Sequence, residues 1–492
     1  MISLDYEVVI GLEVHCQLRT HSKIFSADAV RFGDAPNIHA GVITLAHPGT
    51  LPKLNRQVVE FAVKMGLACG SEITRYNVFA RKNYFYPDLP KGYQLSQDKT
   101  PVCVGGSVDI RLKDGERRVP LHHIHLEEDA GKSIHADNEP DTLLDFNRAG
   151  TALIEIVTEP AMKTSEEAAA CVAEVRQLVR YLGICDGNME QGSLRCDANV
   201  SIMPRGSQVL GTKVEIKNMN SIRNVQRAID VEIARQAKAV ADGEKIVQET
   251  RLFDAVTGKT QSMRTKESMN DYRYFPDPDL APVVISDGWL AEIRSQMPAL
   301  PHELRRKFVD VYGLSDYDAN VLTDTKETAS YFEAVCAHTP NFKAAANWVM
   351  GAVKSFLNDN SLEMNGFPVK PEMLAGLVQL IDGGEISHTV AAQQVFPKLT
   401  ENPTKTARQI AEQYNLMRQS DENALQTAIN EVLVAHPQKV REYRFDGKKN
   451  LLGMFMGEVM KKTGGKADPK QASQLLTKAL NGLPRPPPKE GT

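Results

Sequence analysis

Apolar and polar positions alternate along several stretches of the first half of the chain. In residues 6–19, Leu12, Val14, Cys16 and Leu18 share one face, and Glu13, His15 and Gln17 the other. This period of two predicts a strand with one face in a core. The division recurs in residues 121–132, where Ile124 and Leu126 oppose His123, His125 and Glu127 before Glu128, Asp129 and a Gly131-Lys132 turn. Leu153, Glu155 and Val157 alternate with Ile154 and Ile156, so Glu155 is a carboxylate inside an otherwise apolar strand. In residues 191–202 the inward set is Leu194, Cys196, Ala198, Val200 and Ile202, and the outward set Arg195, Asp197, Asn199 and Ser201. Lys213, Glu215 and Lys217 repeat the pattern.

Helical periodicity takes over between and after these strands. Asn55 caps a helix through Leu67 that Gly70 closes, Ser165 caps one to Leu182, and another runs from Ser221 to Ala241. Beyond Trp289 the chain reads as helical, with prolines 298 and 301 marking a domain boundary. Helices are predicted over Thr325–Ala337, Asn341–Leu357, from Pro371 to the Gly383-Gly384 stop, and over Ser387–Val395, Thr404–Tyr414 and Ser420–Ala435. Two more are expected within Val440–Leu480, with Gly453 and Gly457 allowing close approach. The fold class is therefore α+β: an antiparallel sheet with helices on its apolar side, then an all-α region.

Composition narrows the function. A chain of 492 residues is too long for one core and predicts two or three domains. A formal charge of −4 confines any nucleic-acid contact to a local basic patch. The seven cysteines never form Cys-x-x-Cys, which points to reduced thiols and away from disulfides or a cysteine-built zinc site. With no leader-like N-terminus and no apolar run of membrane length, the expected location is cytoplasmic.

The polar strand faces carry the candidate chemistry. On one sheet they would gather Glu13, His15, Glu127, Glu128, Glu155, Asp197, Arg195, Lys213 and Lys217 in one concavity. So much charge is costly unless a metal ion or phosphate shares the face; a solvated strand edge is the plain structural alternative. Carboxylates with imidazole suit Mg or Mn better than zinc, and lysine and arginine suit phosphate oxygens. Phosphoryl transfer from Mg-ATP needs that combination. There is no Walker A sequence, and Gly105-Gly106-Ser107 reads as a turn. Arg81 to Asp88 leads from basic residues into three aromatics and a proline, a segment able either to stack on a base or sugar or simply to pack. Near the C-terminus Lys448, Lys449, Lys461, Lys462 and Lys466 belong to a lysine- and arginine-rich stretch that suits an RNA backbone, or merely solubility. Neither an amidase Ser-Ser-Lys pattern nor a Cys-His nucleophile arrangement is present.

Five ordered segments resemble the B-subunit family of the tRNA-dependent amidotransferases. They are Val9 to His15, Arg81 to Asp88, Leu126 to Lys132, Gly192 to Asn199 and Asp271 to Pro276. The resemblance implies a cradle domain over 1–295 with a glutamine-synthetase-like core, a helical domain over 296–406, a tRNA-gripping tail over 407–484, and a disordered end over 485–492. It also implies an activity: ATP phosphorylates the side-chain carboxylate of glutamyl-tRNA(Gln) or aspartyl-tRNA(Asn), and ammonia displaces the phosphate. The implied partners are an amidase-like A subunit and a small C subunit, and the implied cofactors are ATP and Mg2+. By the family's pattern Glu13, His15 and Glu128 are metal-site residues, with Glu127, Glu155 and Asp197 close by. Arg195, Lys213 and Lys217, with Lys132, are the candidates for phosphate contacts.

One departure stands out. Many members carry two Cys-x-x-Cys-like pairs before the first helix, resembling a zinc site, whereas the corresponding positions here are Ser26, Asp28, Gly41 and Thr44. No structural zinc is expected, and packing alone should hold this loop. Two other functions would share part of these features. A stand-alone carboxylate–amine ligase would not need the basic tail, and a tRNA-binding scaffold would not need the carboxylates.

Overall fold

The computed structural model describes residues 6–135, 141–265, 272–418, 422–464, 467 and 469–482. It divides into two compact units, Met1–Pro301 and His302–Thr492.

The first unit is built on a 10-stranded sheet. Its centre is the N-terminal strand (Tyr6–Gln17), flanked by the Glu155 strand (Ala152–Thr158) and the Asp197 strand (Leu194–Pro204). Beyond the Glu155 strand lies the histidine strand (Gly115–Glu128), then Cys103–Val104 and Glu72–Ile73. Beyond the Asp197 strand lie the Lys217 strand (Val214–Lys217), Glu249–Asp254 and Lys259–Thr265. The sheet is not wholly antiparallel as expected: the Lys217 strand runs parallel to Glu249–Asp254. The helix Ile222–Ala241 is the crossover that makes this possible.

Inward side chains of this sheet and the helices Arg56–Ala68, Ser165–Tyr181 and Ile222–Ala241 contribute to one core, in which Ile10, Leu12, Val14, Ile124, Ile154, Val200 and Ile216 are buried. The helix starts follow from local chemistry. Asn55 accepts the Gln57 N–H, and Ser221 the Asn224 N–H. The second helix is capped by Thr164, one residue before the expected Ser165, in a reciprocal box with Glu167. All seven cysteines are unpaired and buried.

The described residues of the second unit form helices only. Thr325 and Asn341 cap helices as their sequence positions suggest, and Thr406, two residues after the expected start at Thr404, caps the helix Ala407–Gln413. The helix that begins at Phe342 loosens into a π-turn at Val349–Val353 before resuming. Towards the C-terminus Leu425, Ile429, Val432, Tyr443, Phe455, Val459 and Leu476 form an apolar cluster of their own. Three helices, Pro437–Phe445, Leu451–Lys462 and Pro469–Gly482, stand where two were expected. Pro437 starts the extra one at a position where its missing N–H costs nothing. Gly453 and Gly457 do not mark a close approach, since a β-carbon at either would meet nothing within 4 Å. Lys466 and residues 485–492 lie outside the described residues. Among those described, no helix is long and apolar enough to cross a membrane.

Candidate active site

Strand register assembles the site. His15 lies opposite Glu155 on one neighbour and Arg195 on the other, and Glu155 lies opposite His125. Glu13 lies opposite Asp197. Because residues two apart on a strand share a face, these pairings alone bring the charged side chains together.

Two groups result. In the first, His15 Nε2 is 3.3 Å from Glu155 and 3.6 Å from Glu127, and His125 Nε2 is 3.3 Å and 3.7 Å from the same two carboxylates. Burial pushes the His15 imidazole down, but the charges of Glu155 and Glu127 outweigh it and lift its pKa to about 9. Glu155 is correspondingly held below the usual carboxylate range; burial opposes this, and His15 prevails. In the second group, Glu13, Asp197 and Glu215 place carboxylate oxygens within 4.8 Å of one another. Burial first, then the charge of Glu155, raises Glu13, which accepts a 2.9 Å hydrogen bond from Asn199. Lys217 extends its ammonium between Asp197 and Glu215 and is pushed upward by them against the effect of burial.

Each group can supply three ligand atoms to one cation. The donors are carboxylate oxygens with one imidazole nitrogen, the set a hard divalent ion takes. The Lys217 ammonium, lodged between two carboxylates, shows that the second group already attracts positive charge.

The other expected residues fall out differently. Glu128 does not join either group, because consecutive strand residues face opposite ways. Its carboxylate is bound by the Lys91 ammonium and by the Leu95 N–H at 2.8 Å. Arg195 pairs with buried Asp129 at 3.0 Å, an anchor that leaves the guanidinium beside His15 in register. Lys213 is exposed and lines a cleft of about 310 Å3 together with Glu13, Asn199 and Ser201. Lys132 belongs to a separate two-stranded hairpin, opposite Asp145, and is not brought to the cluster. In the tail, Lys448 pairs with Glu442, Lys462 with Glu431, and Lys449 lies 4.2 Å over the Tyr443 ring. Sequence reading placed His125 and Glu215 on the polar faces but not in the site. Their parity with Glu127 and Lys217 was the available signal.

The loop before the first helix is not held by packing alone. The Asp28 carboxylate accepts hydrogen bonds from Ser26 at 3.0 Å, from the Gly41 N–H at 3.0 Å, and from Thr44. All four departing positions thus converge on one carboxylate. A β-carbon at position 41 would stand 2.3 Å from Asp28 Oδ1, so the knot requires glycine there.

With this geometry in view, the comparisons with known proteins agree. Residues 8–291 match the GatB/GatE catalytic domain family, and residues 330–480 match the GatB domain family. The chain is 51% identical over 479 residues to the B subunit of the aspartyl/glutamyl-tRNA(Asn/Gln) amidotransferase of Trichlorobacter lovleyi, covering 97% of this chain and 100% of that one. It is 51% identical over 480 residues to the protein of the same name from Alkalilimnicola ehrlichii and 50% identical over 483 to that from Azotobacter vinelandii, with the same coverage of both chains. The site belongs to a ligase-type enzyme acting in translation. The chain is a member of the GatB/GatE family, with the catalytic domain in its N-terminal unit.

Proposed function

We propose that this chain is the subunit that activates and amidates the misattached amino acid of glutamyl-tRNA(Gln) or aspartyl-tRNA(Asn), the substrates its relatives are named for. The observation that carries the reading is the pair of three-ligand groups sharing one strand through Glu13 and His15. Glu13, Asp197 and Glu215 would hold one Mg2+, and His15, Glu127 and Glu155 another. Bound there, the ions would neutralise and orient phosphate oxygens.

The residues themselves account for the rest. Lys217 and Lys213 offer ammonium groups, and Arg195 a guanidinium fixed by Asp129, to charge developing on the transferred phosphoryl group. A side-chain carboxylate oxygen of the aminoacyl group attacks the γ-phosphorus of ATP and ADP departs. Ammonia nitrogen then attacks the acyl carbon, inorganic phosphate leaves, and the nitrogen gives up a proton. Without the acyl phosphate the carboxylate has no adequate leaving group. Glu128, paired with Lys91, enters this reading from the far side of the strand. Lys132 is carried forward as a phosphate contact from the sequence reading alone.

An amidase-like partner and a small bridging subunit supply the ammonia in this proposal. The glutamine-synthetase-like character of the sheet unit belongs to it as well, as does a division of the second unit into a helical domain and a tRNA-binding tail with Lys448, Lys449, Lys461, Lys462 and Lys466. The test is ATP cleavage by the assembled enzyme with Mg2+ and without glutamine, on misacylated and on uncharged tRNA. Cleavage that needs the aminoacyl group and is lost in Glu155→Gln supports the reading. Equal cleavage with uncharged tRNA defeats it.

A further inference from the structure

Beside the carboxylate cluster stands an aromatic surface that the phosphoryl-transfer chemistry does not use. A small sheet pairs Phe275–Pro276 with Ala80–Asn83 and Tyr93–Ser96. From it Tyr86, Tyr84, Tyr272 and Tyr274 form a ladder of edge-to-face rings with centroids 6.0, 6.3 and 6.0 Å apart. The interior of the ladder is fixed. Asn83 donates to the Tyr272 and Arg273 carbonyls at 3.1 and 2.9 Å, holding Arg273 at a φ of 45° that only such support sustains. The outer members of the ladder are bare, Tyr86 being 56% and Tyr274 39% exposed, and Phe85, the chain neighbour of Tyr84 and Tyr86, is 81% exposed. Large aromatics left in water on a rigid base, flanked by a cation, are a stacking surface in waiting.

Two observations say what would stack there. First, the ladder reaches the reactive groups. The Tyr84 hydroxyl donates to Gln94 at 3.4 Å, and Gln94 donates to the Glu128 carbonyl at 2.8 Å, next in sequence to Glu127. Burial first, then the negative charge of Glu127, pushes the Tyr84 hydroxyl up. Second, the surface carries an available positive charge. Arg81 is committed to Asp277 and Asp279, but Lys82 makes no ion pair with a described residue and lies 4.9 Å over the Tyr272 ring. Exposed rings beside a free ammonium match an unpaired polyanionic strand whose bases are splayed out.

We propose that Phe85, Tyr86 and Tyr274, with Lys82, form the platform on which the unpaired 3′-terminal bases of the aminoacyl-tRNA stack, placing the attached amino acid at the carboxylate cluster. The inference rests on the functional reading above. Stacking tolerates any base, so the platform positions the strand end and leaves identity to be read elsewhere.

The test uses the assembled enzyme and misacylated tRNA whose terminal adenine is replaced by 2-aminopurine, a base whose fluorescence is quenched on stacking. Binding by the unsubstituted enzyme should quench the probe. In Phe85→Ser combined with Tyr86→Ser the quench should vanish and the tRNA should bind about tenfold more weakly, with Mg-ATP binding unchanged. Phe85→Trp should keep the quench, which a mere folding defect would not. An unquenched probe on tightly bound tRNA overturns this inference alone. So does a pair of variants that weakens Mg-ATP binding and spares the tRNA, because the rings would then hold the base of ATP. An unsubstituted enzyme that binds no misacylated tRNA overturns the functional reading, and this inference with it.

Discussion

The Asp28 loop and the polar face of the sheet both concentrate polar side chains, and they do so in opposite ways. Asp28 is held by neutral donors, two hydroxyls and a backbone N–H, which all donate to its Oδ2. These bonds hold Asp28 below the usual carboxylate range against the effect of burial. On the sheet face, carboxylates meet other carboxylates, and Glu13 is raised by burial and by the charge of Glu155. A carboxylate held by neutral donors serves structure. Carboxylates among carboxylates repel one another, and positive charge brought among them relieves that repulsion.

Substitutions should separate the two regions. Glu13→Gln should lower ATP-dependent amidation by about a hundredfold or more, yet leave the thermal midpoint unchanged or slightly higher, since it removes a charge its surroundings resist. Calorimetry beside a turnover assay checks both halves, and a drop in midpoint matching the loss of activity would break the comparison. Asp28→Ala should do the reverse, costing about 1–3 kcal/mol by stranding three donors. Denaturant unfolding reads this, and Gly41→Ala should reproduce part of it by driving a β-carbon into Asp28.

Protons give a finer separation. Lys23 is buried beside the Asp28 loop and donates to the carbonyls of His39 at 2.6 Å and Phe146 at 3.2 Å. Burial lowers its pKa to about 8, against the pull of Asp28. Between that value and its ordinary 10.5 the unfolded chain holds more protons than the folded one, so this group adds stability as pH rises through the interval. Lys23→Met should flatten the rise of thermal midpoint with pH across that window. The smallest effect belongs to the tail. Lys461→Ala should weaken tRNA binding only severalfold and uniformly across sequences, lowering the slope of affinity against salt by about one.

Much of this arrangement was legible in the sequence, for a definite reason. Strand alternation fixes which residues share a face, so Glu13, His15, Glu127, Glu155 and Asp197 could be grouped before any pairing was known. Applied to Glu128, the same rule sets it with Leu126 on the other face, yet the sequence reading grouped it with the cluster because its neighbours are charged. What alternation does not carry is register between strands. That is why one concavity resolved into two groups, and why Glu215 took a place that the sequence had left empty. Loop chemistry was less legible still. Ser26, Asp28, Gly41 and Thr44 are far apart in sequence, and only the folded chain shows that they meet.

The shared strand sets a dimension. Glu13 and His15 are two residues apart on one extended segment bonded on both sides, so their α-carbons are separated by roughly 6.7 Å, and neither can approach the other without breaking pairing with Val157, Glu155, Asp197 or Arg195. The backbone therefore acts as a ruler for the two acidic groups. A ligand proposed to bridge them would meet two groups whose backbone spacing the strand pairing sets in advance.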